Sequence, residues 1–189
     1  MVPSLKPFGE VVHHGHWTAS VYIRDMDRNE VEMQNLPIEN VQDYPRPPLV
    51  EPVLQNIRVV HIGQLVVETS DAFRVLETHH APTYYLPMRS FQHELSEVSG
   101  TSMCEWKGIA SYFDLVINNI RISRAGWTYK SPAKGFKLLS DCLALYASKL
   151  DECYVGSYRV KPQPGDFYGG WQTPNLRGTV KGARGTEFW

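Results

Sequence analysis

The chain has 189 residues and a formal net charge of −1, with 42% hydrophobic and 21% charged residues. These values are those of an ordinary globular domain, and the lack of a basic run argues against non-specific nucleic-acid binding. No apolar run approaches the ~20 residues of a membrane span, and the first residues lack the apolar core of a signal peptide. We therefore expect neither a membrane nor a nucleic-acid partner.

Residues 1–50 are polar and rich in proline, and residues 21–24 have the composition of a short strand. Pro45, Pro47 and Pro48 fix an extended backbone. We interpret it as a strap on its own domain, and the alternative is a motif displayed for a proline-reading partner. The predicted organisation is a single domain with three parts: an arm and strap at 1–50, a core at 51–155, and a Gly/Pro-rich extension packed on the core at 156–189.

From residue 57 the pattern is that of β-strands. The dipeptide Ile62-Gly63 lies between two apolar segments and predicts a tight hairpin. Asn118-Asn119 predicts a second one, because asparagine tolerates positive φ. The predicted strands are residues 57–61, 64–68, 73–77, 83–87, 111–117 and 120–123, with one or two helical turns between 90 and 98.

One substantial helix is predicted over about residues 132–148. Ser131-Pro132 supplies an N-cap with proline in the first turn, and apolar residues then recur at steps of three and four, at positions 136, 139, 143, 146 and 150. The predicted fold class is therefore mainly β (α+β), with antiparallel sheets, this helix and Gly/Pro-rich terminal arms.

Cysteine and histidine usage argues against a metal site. Cys104, Cys142 and Cys153 are odd in number and widely spaced, which favours a reducing compartment over a disulfide framework, so a cytoplasmic location is expected. A histidine cluster near the N-terminus has no adjacent thiol or carboxylate and no second ligand pair at zinc-like spacing; it consists of His13, His14 and His16. We predict no metal and no cofactor.

A thiol, a carboxylate, an indole and an ammonium occupy the four positions from Cys104 to Lys107. Such a mixture of residues that resist burial and residues that favour it is typical of a pocket wall. The thiolate of Cys104 would be stabilised by Lys107, and Lys107 could bind an anion or act as a base. The alternatives are a half-buried structural thiol and a solvated lysine. On a strand, Glu105 and Lys107 would face one side and Trp106 the other.

Glu77 ends a strand-like run, where a carboxylate beside aromatic rings can act as a general acid or base. The alternative is an exposed loop glutamate. We expect Glu77 and Lys107 to converge on one cavity and to offset each other's charge there. The predicted catalytic residues are Glu77, Cys104 and Lys107, and the predicted ligand-binding residues are Tyr84, Tyr85, Trp106, Trp127 and Tyr129.

Five separated motifs resemble one known family, domain of unknown function family 427, and follow its order. They are residues 44–48, 75–87, 104–108, 126–129 and 163–171, so the resemblance covers roughly residues 44–189. The family pattern has proline where this chain has Glu105, and serine where it has Thr128. The resemblance implies an architecture related to the β-tent or Mss4-like domains, which include zinc modules and B-type methionine sulfoxide reductases. Zinc members use paired C-x-x-C knuckles, which this sequence lacks. The reductase analogy would make Cys104 a nucleophile.

The leading hypothesis is a small-molecule-binding domain with an aromatic-walled polar pocket. In the catalytic version of this hypothesis, the protein is a cytoplasmic enzyme that uses Glu77, Cys104 and Lys107. The competing hypothesis is a non-catalytic module that receives a protein segment on the same aromatic residues. A catalytic pocket would be closed and hold a group with a shifted pKa, whereas a partner surface would be an open apolar patch. The sequence indicates neither the ligand nor the oligomeric state.

Overall fold

The computed structural model of the chain describes residues 36–165 and 167–187. The strand predicted at 21–24 and the cluster of His13, His14 and His16 lie outside these residues. The described chain forms fifteen strands: β1 Glu39–Asn40, β2 Leu49–Pro52, β3 Ile57–His61, β4 Gln64–Thr69, β5 Phe73–Leu76, β6 Thr83–Pro87, β7 Glu94–Cys104, β8 Gly108–Ile117, β9 Ile120–Thr128, β10 Cys142–Leu145, β11 Glu152–Val155, β12 Tyr158–Arg159, β13 Lys161–Pro162, β14 Trp171–Gln172 and β15 Leu176–Arg177.

Two antiparallel sheets dominate the fold, which is mainly β as predicted. The larger has seven strands in the order β2-β5-β6-β10-β9-β8-β7, and the smaller has four in the order β12-β11-β3-β4. Both predicted hairpins are confirmed. Ile62 and Gly63 have φ values of 53° and 67°, and Asn118 and Asn119 have 48° and 65°, which is the backbone that a two-residue hairpin loop requires.

The predicted helix over 132–148 is wrong. The segment begins with a 3-10 turn at Lys134–Leu139, continues as β10, and ends with a 3-10 turn at Ala147–Lys149. Strand β10 pairs with β6 on one side and β9 on the other, and all four of its residues are buried. A strand buried on both faces has no alternation, so its apolar residues mimic the spacing of a helical stripe.

The expected helical turns between 90 and 98 are also largely absent. One 3-10 turn spans Met88–Ser90, and the chain then enters β7, the longest strand described. Among residues 36–165 and 167–187, no helix has the length and apolar character that a membrane span requires.

The main core lies between the two sheets. It is built from alternate residues of the strands on their facing sides, and Trp171 fills its centre at 0% exposure. The indole N–H of Trp171 donates to the carbonyl of Leu145 at 3.0 Å, so the largest buried side chain has its polar atom satisfied. This tryptophan fixes the C-terminal segment to the large sheet.

The strap and the C-terminal segment both contact the large sheet. The hydroxyl of Thr78 donates to the carbonyl of Tyr44 at 2.6 Å, and Tyr44 itself is buried. In the C-terminal segment, the Gln163 amide accepts from the backbone N–H of Ala81 at 3.2 Å and donates to the carbonyl of Lys181 at 3.1 Å. These contacts bring residues from both ends of the described chain to one face of the sheet.

Candidate functional site

A cavity of about 700 Å³ lies on the face of the large sheet that turns away from the main core. Its walls combine many rings with more cations than carboxylates. The rings are Tyr85, Trp106, Tyr112, Trp127, Tyr129, Tyr146, Phe167 and Tyr168. The cations are Arg46, Lys107, Arg124, Lys149 and Lys181, and the carboxylates are Glu77 and Glu105. The other polar lining residues are His80, Thr83, Ser102, Cys104 and Ser148.

The hairpin between β7 and β8 places Lys107 in this cavity. Residues 105–107 form the loop, and Gly108 has a φ of 99°, a conformation that favours glycine. Strand alternation therefore does not apply: the Glu105 side chain is exposed, whereas Lys107 is only 8% exposed. The Lys107 Nζ lies 5.9 Å from the ring centre of Tyr129 and 5.7 Å from that of Phe136.

Glu77 and Lys107 line the same cavity, as predicted, but their charges are not paired with each other. The Glu77 carboxylate lies 3.8 Å from the guanidinium of Arg46 and 4.0 Å from Nδ1 of His80. Arg46 also binds Glu105 at 2.8 Å. In the part of the chain that the structure describes, Lys107 has no carboxylate within 4.0 Å. Lys107 is only 8% exposed, so the alternative of a solvated surface lysine is wrong.

His80 is a site residue that the sequence analysis missed. Its Nδ1 lies 3.0 Å from the carbonyl of Thr78; since a carbonyl only accepts, Nδ1 carries the hydrogen and Nε2 holds the lone pair. Burial, followed by the ammonium of Lys181 and then by Lys107 and Arg46, lowers the pKa of His80 to about 4, against the opposing effect of the Thr78 bond. The imidazole is thus neutral near pH 7.

The indole nitrogen of Trp106 is buried and has no hydrogen-bond partner among the described residues. Trp106 lines the cavity, and the Arg46 guanidinium lies 5.8 Å from its ring centre. A buried donor without a partner is uncommon and costs free energy. A ligand atom that accepts a hydrogen bond would satisfy it.

Rings form a continuous row along the cavity from Lys107 to Lys149. The ring centres of Tyr129 and Tyr85 are 6.3 Å apart, those of Tyr85 and Trp127 6.4 Å, and those of Trp127 and Tyr146 4.5 Å. The Lys149 Nζ lies 5.7 Å from the Tyr146 ring centre. Burial raises the pKa of Tyr146 to about 12, and it also raises the pKa values of Tyr85 and Tyr129 above the usual tyrosine value. These phenols are therefore neutral hydrogen-bonding groups.

The remaining predicted residues divide between the two faces of the sheet. Cys104 is a free, half-buried thiol that lines the cavity beside Tyr129. Tyr84 does not line the cavity: successive residues of β6 face opposite sides, and Tyr84 lies in the main core, 5.2 Å from Trp171 between ring centres. Among the described residues, no group of three or more His, Cys, Asp or Glu side chains could hold a metal ion.

The C-terminal segment closes part of the cavity. Tyr168 lies with its ring centre 4.9 Å from that of His80 and 4.6 Å from the Lys181 Nζ. Gly169 lies so close to Trp127 that an added Cβ would be 2.1 Å from the indole ring. No local pattern predicts these contacts, because they depend on tertiary contacts of Gln163 and Trp171 that hold the segment in place.

The family model described as "Domain of unknown function (DUF427)" matches residues 49–156. No curated protein matches the chain. The matched range contains the sheet, Lys107 and the row of rings, whereas five cavity residues lie outside it: Arg46, Phe167, Tyr168, Gly169 and Lys181.

Proposed function

Because the chain belongs to the domain of unknown function 427 family, whose description gives no activity, we propose a function from the cavity itself: it binds a small organic anion with a flat, apolar body. The observation that carries this proposal is Lys107, a residue only 8% exposed that lines the cavity and has no carboxylate within 4.0 Å among the described residues. An anionic group of the ligand, a carboxylate or a phosphate, would be its partner.

Electrostatics and hydrogen bonding favour an anion over a neutral ligand. Lys107 Nζ has no carboxylate partner among the described residues, and a bound anion would pair with it. Five cationic side chains line the cavity against two carboxylates, both of which contact Arg46. The buried N–H of Trp106 offers a further donor. Ligand pockets with mostly aromatic walls and few convergent polar groups follow this plan.

The burial of the rings favours a small molecule over a protein segment. Tyr85, Trp127 and Tyr129 are all buried and wall a cavity, whereas a docking surface for a protein requires an open apolar patch of several hundred Å². We therefore place the interaction module second.

Catalysis on the bound anion is a second proposal, favoured by the neutral imidazole of His80. Its Nε2 lone pair could accept a proton from the ligand, with Nδ1 held by Thr78 and the ring flanked by Glu77. In this scheme Lys107 stabilises negative charge, and Cys104 stays the candidate nucleophile. A reducing compartment such as the cytoplasm fits the three free cysteines. We retain the β-tent relationship as a proposal for the architecture.

The test compares an aromatic acid with its neutral analogue. Biphenyl-4-carboxylate and biphenyl-4-methanol are titrated into the full chain by calorimetry and by thermal shift. We expect the acid to bind more tightly, and K107M to weaken its binding about tenfold or more, the loss expected for a charge-assisted contact. The control is K130M, because Lys130 is exposed and pairs with Glu97. Equal affinity for acid and alcohol, or equal effects of K107M and K130M, would contradict the proposal.

A further inference from the structure

Arg124 lies on strand β9 in a backbone conformation that its residue type does not favour. Its φ is 47°, in the left-handed region, where a residue with a Cβ is strained. Such strain persists only where the surrounding structure imposes it, and it is often found at functional sites. The question is what holds Arg124 there and what the conformation achieves.

A buried carboxylate holds this conformation. The pairing of β8 with β9 shifts register between Phe113 and Leu115, so Asp114 lies at a bulge. Asp114 is only 4% exposed; its Oδ1 accepts from the backbone N–H of Arg124 at 2.7 Å, and its Oδ2 accepts from the Arg121 guanidinium at 2.8 Å. These bonds, that of the Arg124 backbone above all, keep the pKa of Asp114 below its usual value. Bulges commonly re-aim side chains next to active sites.

The bulge directs the Arg124 side chain into the cavity. Its guanidinium carbon lies 3.6 Å from the ring centre of Tyr112, and one nitrogen donates to the carbonyl of Ser99 at 3.3 Å. A Cβ at Gly100 would lie 3.4 Å from that nitrogen, so the glycine leaves room for it. Within the described residues no carboxylate lies within 4.0 Å of the Arg124 guanidinium. Four of its five N–H donors remain for a ligand.

Arg124 and Lys107 belong to different cationic groups of one cavity. The Lys107 Nζ lies 5.9 Å from the Tyr129 ring centre, whereas the Arg124 guanidinium lies 3.6 Å from the ring centre of Tyr112, which pairs with Trp127 across β8 and β9. The row of rings defined above leads from Tyr129, beside Lys107, to Tyr146. A flat body lying on this row would extend from one cationic group to the other.

We propose that the ligand carries two anionic groups, one bound by Lys107 and the second by Arg124, with a flat apolar body between them. The chemical class is an aromatic or otherwise rigid dianion, such as a dicarboxylate. This inference rests on the proposed function, since it names the ligand class of the same cavity. Guanidinium groups suit planar, bidentate recognition of carboxylates, and Asp114 acts as the positioning residue behind Arg124.

The experiment uses three aromatic diacids of increasing length, each matched with its monoacid. The diacids are benzene-1,4-dicarboxylate, biphenyl-4,4′-dicarboxylate and terphenyl-4,4″-dicarboxylate, titrated into the full chain by calorimetry. At one length we expect the diacid to bind at least about tenfold more tightly than its monoacid. In R124M that advantage should disappear, because the diacid loses its second partner and the monoacid loses much less affinity than the diacid. K107M should weaken both ligands, and R124K should keep part of the advantage.

A purely structural Arg124, holding Tyr112 in place, predicts a different outcome: R124M would weaken the monoacid and the diacid equally. That result, or the absence of a diacid advantage at every length, would overturn the inference while leaving the proposed function intact. Failure of the proposed function differs, because then neither monoacid nor diacid would bind better than the neutral biphenyl-4-methanol.

As a second variant, D114N keeps the side-chain shape but removes the charge that fixes the bulge. It should reduce the diacid advantage without abolishing monoacid binding, and an unchanged advantage would remove Asp114 from its positioning role.

Discussion

In the H80N variant, the free energy of unfolding should fall less in mild acid than it does in the wild type. The imidazole is 12% exposed and lies among Arg46, Lys107 and Lys181, and the Glu77 carboxylate lies 4.0 Å from its Nδ1. Its pKa falls from an ordinary 6.5 to about 4. Between those two pH values the unfolded chain binds a proton that the folded chain does not. By linkage, the free energy of unfolding must therefore fall as the pH falls through this window.

The size of the effect follows from the two pKa values. A difference between 6.5 and about 4 corresponds to roughly 3 kcal/mol of stability, present above pH 6.5 and lost by about pH 4. Urea denaturation at several pH values measures this for the wild type and H80N. The carboxylates titrate in both proteins, so the difference between the two curves isolates His80. We expect H80N to lose less stability than the wild type between pH 6.5 and 4.

The control is H93N, at a histidine that does not line the cavity, and it should follow the wild-type curve. If wild type and H80N lost stability in parallel across this window, the burial and the cationic surroundings of His80 would not lower its pKa.

An anion bound beside Lys107 and Lys181 should also raise the pKa of His80. Calorimetry near pH 5 in buffers of different ionisation enthalpy should therefore show proton uptake on binding of the aromatic acid. H80N should abolish that uptake.

Two further predictions concern the C-terminal segment. W171A should lower the free energy of unfolding by about 3–5 kcal/mol in urea denaturation, because Trp171 fills the main core at 0% exposure; a loss below about 1 kcal/mol would contradict that placement. G169A should lower stability by about 1–3 kcal/mol, since its Cβ would meet the Trp127 ring at 2.1 Å. G135A is its control, because a Cβ at Gly135 has nothing within 4 Å, and equal effects of the two changes would refute the clash.

The parts of the fold that depend on neighbours in sequence could be predicted. Ile62-Gly63 and Asn118-Asn119 carry the backbone preferences of a hairpin loop within two residues, so both turns were predicted correctly. Strand β10 could not be, because its identity depends on residues far away in the chain: β6 and β9 pair with its two edges, and its two faces pack in the two hydrophobic clusters. Its apolar residues then satisfy a helical and a strand pattern equally well.

The candidate site shows the same division. The mixture of residue types from Cys104 to Lys107 pointed to a pocket wall, and these residues do line the cavity. Both Tyr84 and Tyr85 were predicted to bind the ligand, but successive residues of β6 face opposite sides and only Tyr85 lines the cavity; the sequence does not tell which face of β6 is which. Arg124 was missed because its direction depends on a bulge and a buried carboxylate, and neither has a local sequence signature.

The C-terminal segment contributes both to the cavity wall and to the hydrophobic core. Tyr168 helps to wall the cavity, and Trp171, three residues later, is a central piece of the hydrophobic core. Gly169 and Gly170 between them have almost no free space: a Cβ on Gly170 would lie 2.2 Å from the Gln163 side chain. A mutation that changes the position of Tyr168 is therefore expected to disturb the packing of Trp171 as well. Substitutions at Phe167 and Tyr168 can therefore alter ligand preference at little cost in stability. Substitutions at the two glycines would alter the cavity and lower the stability of the fold together.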